Sequence, residues 1–381
     1  MESSLHHDYR DILAIPARAL SAKRILVMTF FLCVGLLVYD LFVYAALAVD
    51  GESLSSYWGL YGFLPLAWFK FGSFAAGLLY GVGIVLGLMS TMLGLFGVAA
   101  IEIEQIRGNR FFSATGAIRF SFQRLGQLFV SEISIAVFLT IIVGLVLLLG
   151  LATRIPYVGE WIFALTFLVP GFIVALFTVF IMFVWVSSVV LLPAVAASER
   201  TKEAFSAILM TFSTIIRQPV RWLLYTAYGL VVAKLASFVY AYFCYRAVQL
   251  FTWCASLTAG DRATDLVRAG LSHLPVNSDF VRETLGVFPG VDWSFSVAQW
   301  TRGSGDSGAG YLMTLILFMI FTSVVGYFLA IIATGQARAF AVIRFVKDEY
   351  RIVDEKPLFF VEEHINEPET DQSDSGDGSK S

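Results

Sequence analysis

Charged side chains are scarce in this sequence. They make up 14% of its 381 residues while apolar ones reach 58%, against roughly 25% and 45–50% in soluble domains. A soluble core of this length cannot hide that much apolar surface, which excludes an ordinary soluble fold. Cysteine is nearly absent too: Cys33, Cys244 and Cys254 show no Cys-x-x-Cys spacing, so neither a disulfide framework nor a thiolate zinc site is expected. The four histidines (His6, His7, His273 and His364) fall outside the long apolar stretches, and none stands in a His-Glu-x-x-His arrangement. With no P-loop and no Gly-x-Ser-x-Gly elbow, no catalytic residue, cofactor-binding residue or metal ligand is picked out, and a self-contained enzyme is disfavoured. No cofactor is called for. The net charge of −3 comes from an acidic tail, where Glu362, Glu363, Glu367, Glu369, Asp371, Asp374 and Asp377 cluster. The remaining body is net basic, which suits anionic lipid headgroups and gives no pointer to nucleic acid.

What the chain has instead is six long apolar stretches, roughly 25–48, 72–101, 127–151, 161–197, 220–250 and 311–335, each long enough for the ~20 residues of a membrane crossing. The expected fold is therefore all-α, a polytopic integral membrane helical bundle of about six transmembrane helices. Ala46-Leu47-Ala48 resembles a signal-peptide cleavage site, but the apolar stretch before it exceeds the ~7–15 residues of an h-region, so an uncleaved first span is the preferred reading.

Basic residues recur on alternate connections: Arg10, Arg18, Lys23 and Arg24, then Arg107, Arg110, Arg119 and Arg124, then Arg200, Lys202, Arg217 and Arg221, then Arg338, Arg344, Lys347 and Arg351. With six crossings all four groups share one side, and the positive-inside rule places both termini in the cytoplasm. Arg24, Arg124, Arg217 and Arg221 are expected at the membrane surface. The connection 256–308 would be exported. The resulting division is a cytoplasmic amphipathic segment at 1–24, a six-span domain at 25–351 and a largely disordered acidic tail at 352–381, too poor in apolar residues to offset the entropy of ordering.

A repeat underlies the alternation. Ala114-Thr-Gly-Ala117-Ile118-Arg-Phe-Ser-Phe122 and Ala204-Phe-Ser-Ala207-Ile208-Leu-Met-Thr-Phe212 share four identities at a constant offset of 90. Each precedes a basic turn and an ascending span, and Tyr9 to Arg24 has the same layout. Three units of amphipathic helix, ascending span and descending span result. Phe205, Ile208, Leu209, Phe212, Ile215 and Ile216 mark one face of the third amphipathic helix, and Tyr9, Ile12, Leu13, Pro16 and Leu20 that of the first. Such helices either lie in the headgroup plane or pack beneath the bundle as elbows. The fourth stretch exceeds one crossing, and Pro170-Gly171 predicts a break that leaves Phe172 to Leu192 to span.

Few polar residues lie at membrane depth. Asp40 and Lys234 fall at similar distances into ascending spans, roughly 22 and 18 Å at ~1.5 Å per residue, and form a candidate intramembrane pair. The alternative is that each snorkels to an interface. Glu102, Glu104 and Glu132 are expected to meet interfacial arginines such as Arg107 or Arg124. In the second span Gly77, Gly81, Gly83 and Gly87 form two GxxxG pairs, which point to close helix packing; a narrow permeation path is the alternative.

Pro193-Ala-Val-Ala196-Ala-Ser-Glu199, the helix from Ala204 to Ile216, and Arg217-Gln-Pro219-Val-Arg221-Trp222 resemble a pattern in bacterial multi-pass membrane proteins of unassigned activity. They are faintly similar to the membrane domain of glycerophosphodiester phosphodiesterases and to choline-transporter-like proteins. The chain departs from that pattern at Leu209-Met210 and Gln218. The resemblance implies the fold and an inner-membrane location. Two functions stay open: a non-enzymatic membrane-organising protein that binds lipid and protein partners through its exported loop or acidic tail, or a transporter or channel that uses Asp40 and Lys234. In a background free of Cys33, Cys244 and Cys254, an impermeant thiol reagent should label Ser304→Cys in intact cells and spare Ser206→Cys. The reverse pattern would invert the topology.

Overall fold

The computed structural model describes residues 8–152, 154–155, 157–272, 274 and 308–357. Its regular elements there are all helical. In chain order they are α1 (Tyr9–Leu13), α2 (Ile15–Ala19), α3 (Ala22–Val49), α4 (Leu54–Tyr61), α5 (Phe74–Ile106), α6 (Ala114–Gln123), α7 (Leu125–Ala152), α8 (Val158–Thr166), α9 (Phe172–Ser198), α10 (Ala204–Arg217), α11 (Pro219–Ala259), α12 (Asp261–Ser272) and α13 (Gly308–Asp348). Six of these, α3, α5, α7, α9, α11 and α13, are long and apolar enough to cross a bilayer. The expected all-α polytopic bundle is what forms. Most of the connection 256–308 and the tail beyond 357 lie outside the described residues, although the connection's first part is helical through α12.

The three units close into a ring. Each unit's leading helix packs beneath the descending helix of the unit before it: α6 against α5, α10 against α9, and α1–α2 against α13. The descending helices α5, α9 and α13 pack against one another at the centre. Small residues allow this approach: Ala99 and Ala100 on α5, Ala194, Ala196 and Ala197 on α9, and Ala330, Ala333 and Ala337 on α13 are all buried. In lipid, where apolar contact outside the protein is as good as inside, close backbone packing is what makes such association favourable.

The tightest interface joins α3 to α5, and it corrects the expected glycine set. A Cβ on Gly83 would lie 2.6 Å from the Phe42 Cβ, and one on Gly87 would lie 3.4 Å from the Gly35 carbonyl oxygen. Gly77 and Gly81 have nothing within 4 Å. The reason is angular. At ~100° per residue the 77/81 pair points away from the 83/87 pair, whose stripe continues through Ser90, Gly94 and Gly97. Gly94 would meet Met28 and Gly97 would meet Val27, each at 2.8 Å, and the Ser90 hydroxyl donates to the Phe31 carbonyl at 2.7 Å.

The amphipathic helices also differ from expectation. Ala14 separates α1 from α2, with Pro16 in the first turn of α2, and the inward face is Ile12, Ile15 and Ala19, while Tyr9, Leu13 and Leu20 are exposed. On α10 the apolar Phe205, Leu209 and Ile216 are exposed, whereas Thr211 and Thr214 are buried with Ile215. Both threonines tolerate burial by donating 2.8 Å hydrogen bonds to carbonyls one turn back, of Ala207 and Met210. The outward apolar side chains are left for lipid.

As the sequence predicts, Pro170 interrupts the fourth stretch. Phe167–Gly171 forms a π turn between α8 and α9, a geometry that accommodates the missing proline N–H. A side chain at 171 would bring a Cβ to 2.8 Å from the Thr166 carbonyl oxygen, so glycine is required there. Beyond Ile181 towards this turn both helices carry exposed apolar side chains, Val137, Ile141 and Leu145 on α7 and Phe172, Leu176 and Val179 on α9. Contacts between α7 and α9 hold at Ile135, Leu139 and Ile181.

Gly83→Leu should destabilise the bundle by about 1–3 kcal/mol through overpacking against Phe42. Gly77→Leu should leave thermal unfolding in detergent nearly unchanged. Equal effects would reject the single-stripe interface.

Candidate functional site

The densest chemistry lies at the end of the bundle that carries the basic connections. There α5 runs past its apolar stretch into Glu102, which is fully buried between two arginines from other spans. Arg24, in the first turn of α3, donates from Nη2 to Glu102 Oε2 and to Gln105 Oε1, and from Nη1 to the Arg18 carbonyl. Arg338, on α13, donates from Nε to Glu102 Oε1 at 2.6 Å and from Nη1 to the Asp11 carbonyl of α1 at 3.0 Å. The Asp11 carboxylate lies 4.0 Å from Arg338, which brings a second acid to the cluster. One carboxylate thus ties α3, α5 and α13 together, and Arg338 extends the tie to α1.

A second cluster sits one turn further on. Arg107 contacts Glu104 at 3.1 Å and Glu355, from the segment that follows α13, and donates to the carbonyls of Ala197 and Ser198 at 3.3 and 2.7 Å. Those carbonyls end α9, so Arg107 caps a helix whose dipole favours a cation there. Arg124 caps the same connection through the Glu199 and Thr201 carbonyls and is held by Gln127. The Glu199 carboxyl itself is pushed above its ordinary range by burial, against the opposing pull of the Ser206 hydroxyl and of Arg344 and Arg124.

These contacts relocate several residues. Arg24 and Arg124, expected at the membrane surface, are buried and hydrogen-bonded to acceptors inside the bundle. Arg217 is 63% exposed and Arg221 half-buried. Of the three glutamates, Glu104 meets Arg107 as expected. Glu102 meets Arg24 and Arg338 instead, and Glu132 accepts from the Trp185 indole at 2.8 Å and the Ser188 hydroxyl at 3.3 Å.

Among the described residues no ion pair joins Asp40 to Lys234. Their registers differ. Cys33 meets Thr322 at 3.3 Å, which carries Asp40 to the level of Leu315 on the antiparallel α13. Trp222 meets Gln336 at 3.1 Å and Tyr240 meets Ser323 at 3.4 Å, which carry Lys234 to about the level of Tyr327. About a dozen residues of α13, on the order of 18 Å at ~1.5 Å per residue, separate the two levels, and α13 packs against both α3 and α11. Asp40 is buried at the opposite end, and its Oδ1 has no hydrogen-bond partner. It lies between Tyr39 and Tyr44, whose hydroxyls donate to the Pro65 and Gly62 carbonyls at 3.0 and 2.6 Å.

Sequence reading missed the Arg24–Glu102–Arg338 cluster, although a signal was present. Val98-Ala-Ala-Ile-Glu102 and Val195-Ala-Ala-Ser-Glu199 share four of five residues at the ends of consecutive descending spans. No group of three or more His, Cys, Asp or Glu side chains among the described residues is arranged to hold a metal.

Fold and site define a polytopic helical membrane protein, in contact with lipid, whose charges at one end are buried in contacts between helices. No family model, no curated protein and no solved structure matches the chain.

Glu102→Leu leaves two buried guanidinium groups without their carboxylate and should cost about 3–5 kcal/mol. The triple variant Arg24→Met/Glu102→Leu/Arg338→Met should recover most of that loss in thermal unfolding. Strictly additive effects would show that the three residues do not act as one contact.

Proposed function

We propose that the protein is a non-enzymatic organiser of the membrane, one that offers its α7–α9 hairpin to helices of partner membrane proteins. The observation that carries this reading is the contrast between the two ends of that hairpin. Glu132, Trp185 and Ser188 fasten it near the basic end, while its far half leaves apolar side chains uncovered on both helices. Lipid fills such a face at no cost, and a partner helix displaces it wherever shape allows closer packing. The reading extends to an inner-membrane location with both termini cytoplasmic, supported by the four basic connections. The loop 256–308 and the acidic tail offer further contacts for protein partners, and no nucleic acid is involved.

A second reading, transport, is favoured by one observation. Asp40 is an ionisable group at membrane depth whose Oδ1 lacks a hydrogen bond, and such groups mark substrate or proton routes by default. The route would use Asp40 without Lys234 as its direct partner.

A photo-crosslinking side chain at Leu145 or Phe177 should give discrete protein adducts in native membranes, and the same probe at the exposed Leu37 of α3 should give lipid adducts alone. Lipid adducts at all three positions would reject the organising role. Asp40→Asn should leave those adducts unchanged. If it abolishes a proton or solute flux in proteoliposomes while the folded fraction is constant, transport is the function.

A further inference from the structure

We propose that the elbow between α10 and α11 binds the phosphate of an anionic phospholipid headgroup, with Arg217 and Arg221 as its ligands. The site stands whether the bundle organises partners or moves a substrate. Arg221 lies in the first turn of a 41-residue helix, at the end where the dipole disfavours a cation. Its Nη1 is sealed from solvent and makes no hydrogen bond. Among the described residues Arg221 forms no ion pair, in contrast to the acid-bound Arg24, Arg107 and Arg338.

The surroundings add to the cation. Arg217 ends α10 and has Asp348 as its acid, at 3.9 Å, too far for a hydrogen bond. Asp348 is shared with Lys347, which approaches it at 3.1 Å and also donates to Ser213 at 3.0 Å. Two cations therefore share one carboxylate, and Arg221 has none. Pro219 has no N–H, and the first intrahelical bond runs from Trp222 N–H to the Gln218 carbonyl. The amides of Val220 and Arg221 thus open onto the same elbow.

Lipid, as opposed to a free anion, is indicated by the flanks. Ile216, Val220, Leu223 and Leu224 are all more than half exposed, and they place apolar surface beside the cations. A headgroup phosphate at the guanidinium groups would set its acyl chains along Leu223 and Leu224. Two forked arginines suit a phosphate through paired N–H donors.

The test uses the full chain, delipidated in detergent and titrated with short-chain phosphatidylglycerol or phosphatidylcholine under native mass spectrometry. Phosphatidylglycerol should bind preferentially. Arg217→Gln and Arg221→Gln should each weaken it about tenfold, while Arg119→Gln, on the exposed face of α6, should not. If a glutamine variant fails to fold, Arg217→Lys and Arg221→Lys decide, because they keep the charge and lose the fork; a several-fold loss supports the site and no loss overturns it. Equal binding of the two lipids, indifference to the arginine variants, or displacement by equimolar inorganic phosphate would each overturn it.

Discussion

Glu102 is an anion held out of water by two cations from different helices, and much of the basic end follows from that requirement. A carboxylate so deeply buried is tolerable only if its oxygens are filled by charge-assisted donors. Arg24 and Arg338 fill them from fixed positions on α3 and α13. A slide of either helix along α5 by one turn, about 5.4 Å, would leave all three charges stranded. The cluster therefore sets register more than it adds net stability, since a buried pair gains little over a well-packed apolar alternative. Through Asp11 it also joins the first unit to the last, which is where the ring of three units closes.

Away from this end the same logic runs in reverse. The far halves of α7 and α9 carry almost no polar side chains, so nothing specifies how they meet each other or the rest of the bundle. Glu132 with Trp185 and Ser188 is the polar fastening between the two helices. Apolar side chains in lipid have no hydrophobic reason to associate. The hairpin is thus fastened near its base and carries exposed apolar side chains along its length, an arrangement suited to accepting a foreign helix.

The three units share a plan and differ in how completely each is packed. In the first, the glycine stripe of α5 brings α3 into close contact; in the third, α11 and α13 meet through Trp222, Gln336 and Tyr240. The second has no glycine stripe and a polar contact only near its base, where Glu132 meets Trp185 and Ser188. Arginine follows the same gradient: Arg24 and Arg124, before the first and second ascending spans, are drawn inward by acceptors, whereas before the third Arg217 is exposed and Arg221 is half-buried with its Nη1 unpartnered.

The sequence by itself determined the number of crossings, their alternation, the three-unit plan and the break at Pro170, because each depends on local hydropathy, charge or backbone chemistry that a bilayer or a proline enforces wherever the chain lies. It could also have pointed to Glu102, since the Val-Ala-Ala-x-Glu repeat is visible in the letters alone. Tertiary structure decided the rest. Whether Asp40 and Lys234 meet depends on the sliding register of α3 and α11 against α13, and depth counted from each span's own start carries no information about that. Gly83 rather than Gly77 packs because α3 lies on one side of α5, a fact about neighbours. Arg24 is buried and Arg217 exposed although both belong to basic connections. Charge at a membrane boundary takes whatever partner is nearest, and only the packed helices determine which acceptors come within reach.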